Sequence, residues 1–227
     1  MSDRENIARL RAVYTALGDL AKEVVFVGGA TVLLYANRPA SDTRPTDDVD
    51  ILIELLHYPD YAAVEERLRA MGFVNDTESG VICRYIVQGI VVDVMPTSPG
   101  ILGFSNRWYP EAFQHAIEAT IGTGHTIQIF TAPYFLASKL EAFRDRGGND
   151  GRMSTDFEDI VYVWNNRTTL WNELRAAPEN VRRYLQAAYA RLLEEAYIDE
   201  WIGAHLDYAE QDRVNHILEN LRGFIKS

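Results

Sequence analysis

The segment Gly89-Ile90-Val91-Val92-Asp93-Val94-Met95 limits this chain more than any other. Apolar residues occupy both of its alternating faces, so as a strand it must be internal, covered on both sides and paired along both edges. An isolated charge at Asp93 would cost several kcal/mol there unless it is paired or bound to a metal. Gln88-Gly89 separates this run from Arg84-Tyr85-Ile86-Val87, a spacing short enough for a tight hairpin that sets the two runs antiparallel. Further short β-branched runs at Val24 to Val27, Val49 to Ile53 and Thr126 to Phe130 read as strands.

Helical patterns fill the gaps: Glu5 to Ala21, Ala30 to Asn37, Tyr58 to Met71 with Gly72 as its stop, and roughly Pro110 to Ala119. Past Pro133, which suits a first helical turn, the pattern is helical throughout: to Arg144, then Ser154 to Trp164, Pro178 to Ile198 and Ala209 to Ile225. The expected fold is therefore α+β: residues 1–132 form a small mixed sheet flanked by helices, and residues 133–227 form a helical domain closing a cleft against it.

With 227 residues, 47% of them hydrophobic, the chain can bury one sizeable core or two small ones. The single cysteine, Cys83, rules out an internal disulfide. No apolar run approaches the roughly 20 residues that span a bilayer, and Met1 to Leu20 is charged and amphipathic, unlike a signal peptide. A cytoplasmic protein without membrane partners is expected. A net charge of −11 argues against a passive nucleic-acid coat, which needs a basic surface, but not against an enzyme that gathers its cations around one cleft.

Asp48 and Asp50 begin the run Asp48-Val49-Asp50-Ile51-Leu52-Ile53. Two apart on a strand, they share a face and lie roughly 6 to 7 Å apart at the base, while Asp47 and Val49 point the other way. Carboxylates so spaced can converge on two divalent ions, the arrangement that activates a hydroxyl and steadies a leaving pyrophosphate. If the strand of Asp93 lies beside them, three carboxylates crowd one sheet edge, and Mg²⁺ relieves their repulsion most simply. Asp93 by itself could instead pair with an interior arginine. Upstream, Phe26-Val27-Gly28-Gly29-Ala30-Thr31 reads as a strand ending in two glycines before a helix, where backbone N–H groups can face a phosphate unobstructed by a Cβ.

The set Val27-Gly28-Gly29, Asp48-Val49-Asp50 and Asp93 resembles the hydrophobic-Gly-Gly/Ser, Asp-hydrophobic-Asp and third-carboxylate pattern of the nucleotidyltransferase superfamily. Arg44-Pro45-Thr46-Asp47-Asp48-Val49-Asp50 is similar to the Arg-x-Thr/Ser-x-Asp-hydrophobic-Asp segment of the AbiEii-type nucleotidyltransferases, which include toxins of bacterial toxin–antitoxin and phage-defence pairs. Ser138-Lys139-Leu140-Glu141-Ala142-Phe143-Arg144-Asp145-Arg146-Gly147 and Thr155-Asp156-Phe157-Glu158-Asp159-Ile160 are similar to the family's helical Lys-x-x-Ala…Arg segment and its Asp-x-x-Asp-Ile, so the resemblance spans residues 24 to about 165.

The resemblance implies Asp48, Asp50 and Asp93 as catalytic and metal-binding residues, two Mg²⁺ ions, an NTP substrate, and Gly28, Gly29, Thr46, Lys139 and Asp156 at the nucleotide. It implies RNA, tRNA foremost, as acceptor, growth inhibition as the outcome and a cognate antitoxin as partner. Other superfamily members modify proteins on Tyr, Ser or Thr, or small molecules such as aminoglycosides, and a non-catalytic partner-binding module on the same fold is a further alternative. The preferred base, the acceptor and the oligomeric state stay open.

The remaining candidates read as structural. His57, His115, His125, His205 and His216 lack metal-ligand spacing, and Cys83 lacks a motif. Gly147-Gly148 suits a mobile turn, although a loop with Arg144, Arg146 and Arg152 nearby could receive an acidic substrate. Trp164, Trp171, Tyr184, Tyr189, Tyr197, Trp201 and Tyr208 fall at helical spacings that favour core packing over base stacking.

Overall fold

The computed structural model describes residues 2–55, 57–103, 105–122, 124–146 and 150–227; the turn expected at Gly147-Gly148 lies outside them. The fold is α+β, with a seven-stranded mixed sheet. The chain divides into two compact units, one holding residues up to Leu34 and Asp42–Thr131, the other Tyr35–Ser41 and Ala132–Ser227.

In the first unit, helix α1 (Ser2–Leu17) buries Asn6, Leu10, Val13 and Leu17, one stripe at the helical period. A 3₁₀ turn over Gly18–Lys22 leads into strand β1 (Val24–Val27), buried at every position. Then come β2 (Asp48–Ile53), α2 (Tyr58–Ala70), β3 (Val74–Asn75), β4 (Arg84–Val87), β5 (Ile90–Pro96), α3 (Pro99–Leu102), α4 (Tyr109–Gln114), β6 (Ile117–Thr120) and β7 (Thr126–Ile129). The sheet order is β3-β4-β5-β2-β1-β7-β6, so β5 is internal, as its two apolar faces require. It runs antiparallel to β4 and parallel to β2, and β2 runs antiparallel to β1.

The β4–β5 hairpin turns on Gln88 and Gly89, at φ 50° and 77° with Val87 opposite Ile90; positive φ at both central residues is the turn whose twist suits a two-residue hairpin. Helix α2 stops at Gly72, at φ 90°, with Gly72 N–H donating to Arg69 O and Phe73 N–H to Leu68 O, the paired bonds of a glycine-closed helix end.

Three expectations in this unit are corrected. The segment after β1 is a 3₁₀ helix over Gly29–Tyr35, not an α-helix from Ala30 to Asn37. Its β-branched and aromatic residues, Thr31, Val32 and Tyr35, are weak helix formers, and burial rather than propensity decides its shape. The helix expected over Pro110 to Ala119 ends at Gln114, and Ile117–Thr120 forms an edge strand bonded to β7. Strand pairing outweighs the continuing periodicity there. Val74–Asn75, read as no element, pairs with β4 as a short edge strand.

The second unit is helical: α5 (Ala132–Asp145), α6 (Thr155–Asn166), α7 (Leu170–Ala176), α8 (Glu179–Leu192), α9 (Ile198–Ala204) and α10 (Arg213–Ile225). The expected Pro178 to Ile198 helix breaks after Leu192, and Ala209 to Ile225 starts as a 3₁₀ turn, Tyr208–Glu210, before α10. Its core is aromatic. Phe157 meets Trp164 and Trp201 edge-on at 5.8 and 5.7 Å, and Tyr189 stacks edge-on with Trp164 at 5.3 Å while its hydroxyl accepts from Trp164 Nε1. Tyr197 and Tyr208, in contrast, are exposed.

The chain enters this unit early, over Tyr35–Ser41. Tyr35 stacks on Phe135 at 4.4 Å, Arg38 bonds Glu210 Oε1 at 2.7 Å and Asn165 O at 3.0 Å, and Asn37 Oδ1 accepts from Thr168 N and Oγ1. No described helix is long and apolar enough to cross a membrane.

Candidate active site

The registers of β2, β4 and β5 bring the acidic residues together. Asp50 stands directly opposite Asp93 on the neighbouring parallel strand, and Asp48 opposite Val91. Because side chains alternate, Asp48, Asp50 and Asp93 share one sheet face, with strands about 4.8 Å apart. Val49 and Ile51 point to the opposite, fully buried side. The Asp48 side chain is 42% exposed and that of Asp93 12%.

Asp93 has a partner from the other direction. Arg84, opposite Asp93 across the hairpin, donates Nε to Oδ1 and Nη2 to Oδ2, both at 2.8 Å, a two-pronged pair. The same Nη2 lies 3.8 Å from Asp48 Oδ2. These carboxylates, the hydrogen bond to Asp93 first, raise the Arg84 pKa further above its ordinary value. The interior arginine weighed for Asp93 is therefore real. Arg84 was legible as that partner: a two-residue turn pairing Val87 with Ile90 sets position 84 against 93 by counting back.

The glycines open space for side chains of this chain. At Gly28, φ 74°, an added Cβ would collide with the Asp50 carboxylate, whose Cγ would lie 2.8 Å away. At Gly29 it would run into the Arg44 guanidinium and sit 2.9 Å from Thr46 Cγ2. The turn is pinned by Thr31, whose N–H and hydroxyl both donate to Gly28 O, at 3.3 and 2.9 Å.

Thr46 is buried and tied to α1. Its N–H and Oγ1–H both donate to Asn6 Oδ1, at 3.2 and 3.1 Å, and Asn6 Nδ2 donates to Arg44 O at 3.0 Å and Thr43 Oγ1 at 3.3 Å. One fully buried amide thus sets the path of the chain into Asp48 and Asp50. Asn6→Ala should lose about 2–3 kcal/mol, since several buried groups would be left without partners. Urea unfolding followed by circular dichroism checks this.

Lys139 and Asp156 belong to the helical unit and meet there. The Lys139 ammonium, almost buried on α5, bonds Asp156 Oδ1 at 3.1 Å and Asp159 Oδ2 at 2.6 Å, and Arg146 Nη1 reaches Asp156 Oδ2. Ser154 caps α6 by accepting from Phe157 N, which fixes Asp156 in the first turn. Asp159, the second acid of the Asp-x-x-Asp-Ile segment, carried no assigned role; three residues after Asp156 on a helix, it falls on the same face.

Burial, then the nearby Asp93 charge, pushes the Cys83 thiol up to about 11, so it stays protonated and unreactive at neutral pH. The histidines serve local structure: His205 Nε2 donates to Gly151 O at 2.7 Å, and His125 stands edge-on to Tyr14 at 5.4 Å. Among the described residues, no group of three His, Cys, Asp or Glu side chains is gathered as a metal site with the side chains as they stand. No family model and no curated protein matches this chain.

Proposed function

We propose that this chain is a Mg²⁺-dependent nucleotidyltransferase of the AbiEii-like type that transfers an NMP from an NTP to an acceptor in the cytoplasm. The observation that carries this reading is the register Asp50 opposite Asp93, with Asp48 two residues along the same face. All-oxygen donors on one face suit a hard divalent cation, and the space that Gly28 leaves lets the Asp50 carboxylate lie against the turn. Asp48, Asp50 and Asp93 would hold two Mg²⁺ ions, which supply Lewis-acid activation of the acceptor hydroxyl and neutralise charge on the leaving pyrophosphate.

Asp93 would also take the acceptor proton on a carboxylate oxygen once Arg84 is drawn aside. The phosphates would lie at the Gly28-Gly29 turn against the Arg44 guanidinium, the space beside the glycines being taken by Asp50, Arg44 and Thr46. Thr46 acts at one remove, by holding the loop before Asp48. For Lys139 and Asp156 a nucleotide role rests on resemblance, and Lys139 would have to exchange a carboxylate for a phosphate.

RNA, with tRNA foremost, is the acceptor the resemblance favours, which makes the enzyme toxin-like with an antitoxin partner; a protein hydroxyl and an antibiotic are the rival acceptors. The protein is incubated with Mg²⁺, each labelled NTP in turn, total RNA and cell extract; label entering RNA supports the first acceptor, and label in protein or small molecules selects a rival. One observation favours a second reading, a non-catalytic binding module: the Arg84–Asp93 pair already satisfies the buried carboxylate. Calorimetry separates the two, because the module shows no metal-dependent NTP binding.

A further inference from the structure

Arg84 is a group on the acidic face whose chemistry opposes a metal. Three carboxylates share that face, and the guanidinium grips both oxygens of Asp93 while standing 3.8 Å from Asp48. It comes from the facing strand of a hairpin whose two-residue turn leaves no freedom of register, so its backbone is fixed opposite Asp93. Its side chain is 25% exposed, leaving it a route to solvent without unfolding the strand. A salt bridge with one partner in part open to solvent can exchange, whereas a sealed one is costly to break.

We infer that Arg84 is a built-in counter-cation of this carboxylate cluster, which a divalent ion must displace from Asp93 in order to bind. The inference rests on the metal-site reading above and adds a regulatory element to it: the site is held closed and charge-compensated until the ion arrives. Arg84 also keeps Asp93 from costing the empty fold an unpaired buried charge. Metal affinity is thereby lowered and apo stability raised by the same side chain.

The test is calorimetric titration of Mg²⁺ and of Mn²⁺ into metal-free wild type and Arg84→Met, with circular dichroism and thermal unfolding recorded on both. The variant should bind the ions at least about tenfold more tightly, because it removes a like charge some 4 Å from the ligands at an effective dielectric near 20. Its apo form should melt at a lower temperature than wild type, and added metal should narrow that gap. A purely structural role predicts the opposite sign for affinity, since a damaged site binds more weakly.

Equal or weaker binding by a folded Arg84→Met overturns the inference while the metal site stands. Absence of divalent binding in both proteins overturns the metal site and the inference with it. Should Arg84→Met not fold, Arg84→Lys decides by the same sign: it keeps the charge, loses the two-pronged grip, and should show a smaller gain in affinity, with no gain counting against the inference.

Discussion

Lys139→Met should destabilise the helical unit by about 3–5 kcal/mol, because it strands two buried carboxylates whose cation it removes. Asp156 and Asp159 are 3% and 2% exposed, so neither can recover its hydration in place. Arg146, which reaches Asp156 from a side chain that is 71% exposed, compensates little. Replacing Asp159 with Asn in the Lys139→Met background should restore part of the loss, since one of the stranded charges is then gone. Urea unfolding followed through Trp164 and Trp201, which share this unit's core, reads the effect directly. The same result governs how a phosphate role for Lys139 can be tested: an inactive Lys139→Met counts only where its unfolding curve shows a folded protein.

Gly28→Ala should have the second large effect, and on transfer more than on folding. The left-handed backbone there costs a non-glycine residue roughly 1–2 kcal/mol, which a folded unit can absorb. The new methyl group also claims the space of the Asp50 carboxylate, which must turn away from Asp93 or drive the turn aside. A displacement of about 1 Å at a reacting centre costs on the order of a hundredfold in rate. Gly72→Ala is the matched control: its φ is 90° and nothing lies within 4 Å of an added Cβ, so it carries the strain without the collision. Comparable stability loss in the two variants, with nucleotide transfer impaired only in Gly28→Ala, is the expected pair of results.

Local rules made much of the sheet readable. The apolar faces around Asp93 demanded an internal strand, Gln88-Gly89 fixed the hairpin, and Gly72 ended a helix where its backbone had to turn left-handed. What escaped was decided by partners distant in sequence. Ile117–Thr120 continues a helical pattern but gains more from bonding to β7, and Tyr35–Ser41 leaves the sheet unit because Phe135, Asn165 and Glu210 hold it. At the site, the three acids and two glycines were visible as a pattern, Arg84 followed only from counting back along the hairpin, and Asn6 carried no signal at all. Arg84 and Asn6 are partners rather than motif residues, and Asp159 stood in a quoted segment without showing that it meets Lys139; which group each meets is set by the fold.

The most direct measurement of the central claim is Mg²⁺-dependent transfer of labelled nucleotide by wild type, Asp48→Asn and Asp50→Asn, each with its circular dichroism spectrum. Both aspartates are only partly buried, so the amide should leave the fold intact while removing the charge that holds an ion. The carboxylate account predicts transfer by wild type and its loss in both variants, with spectra unchanged. Transfer at the wild-type rate by either folded variant would contradict it.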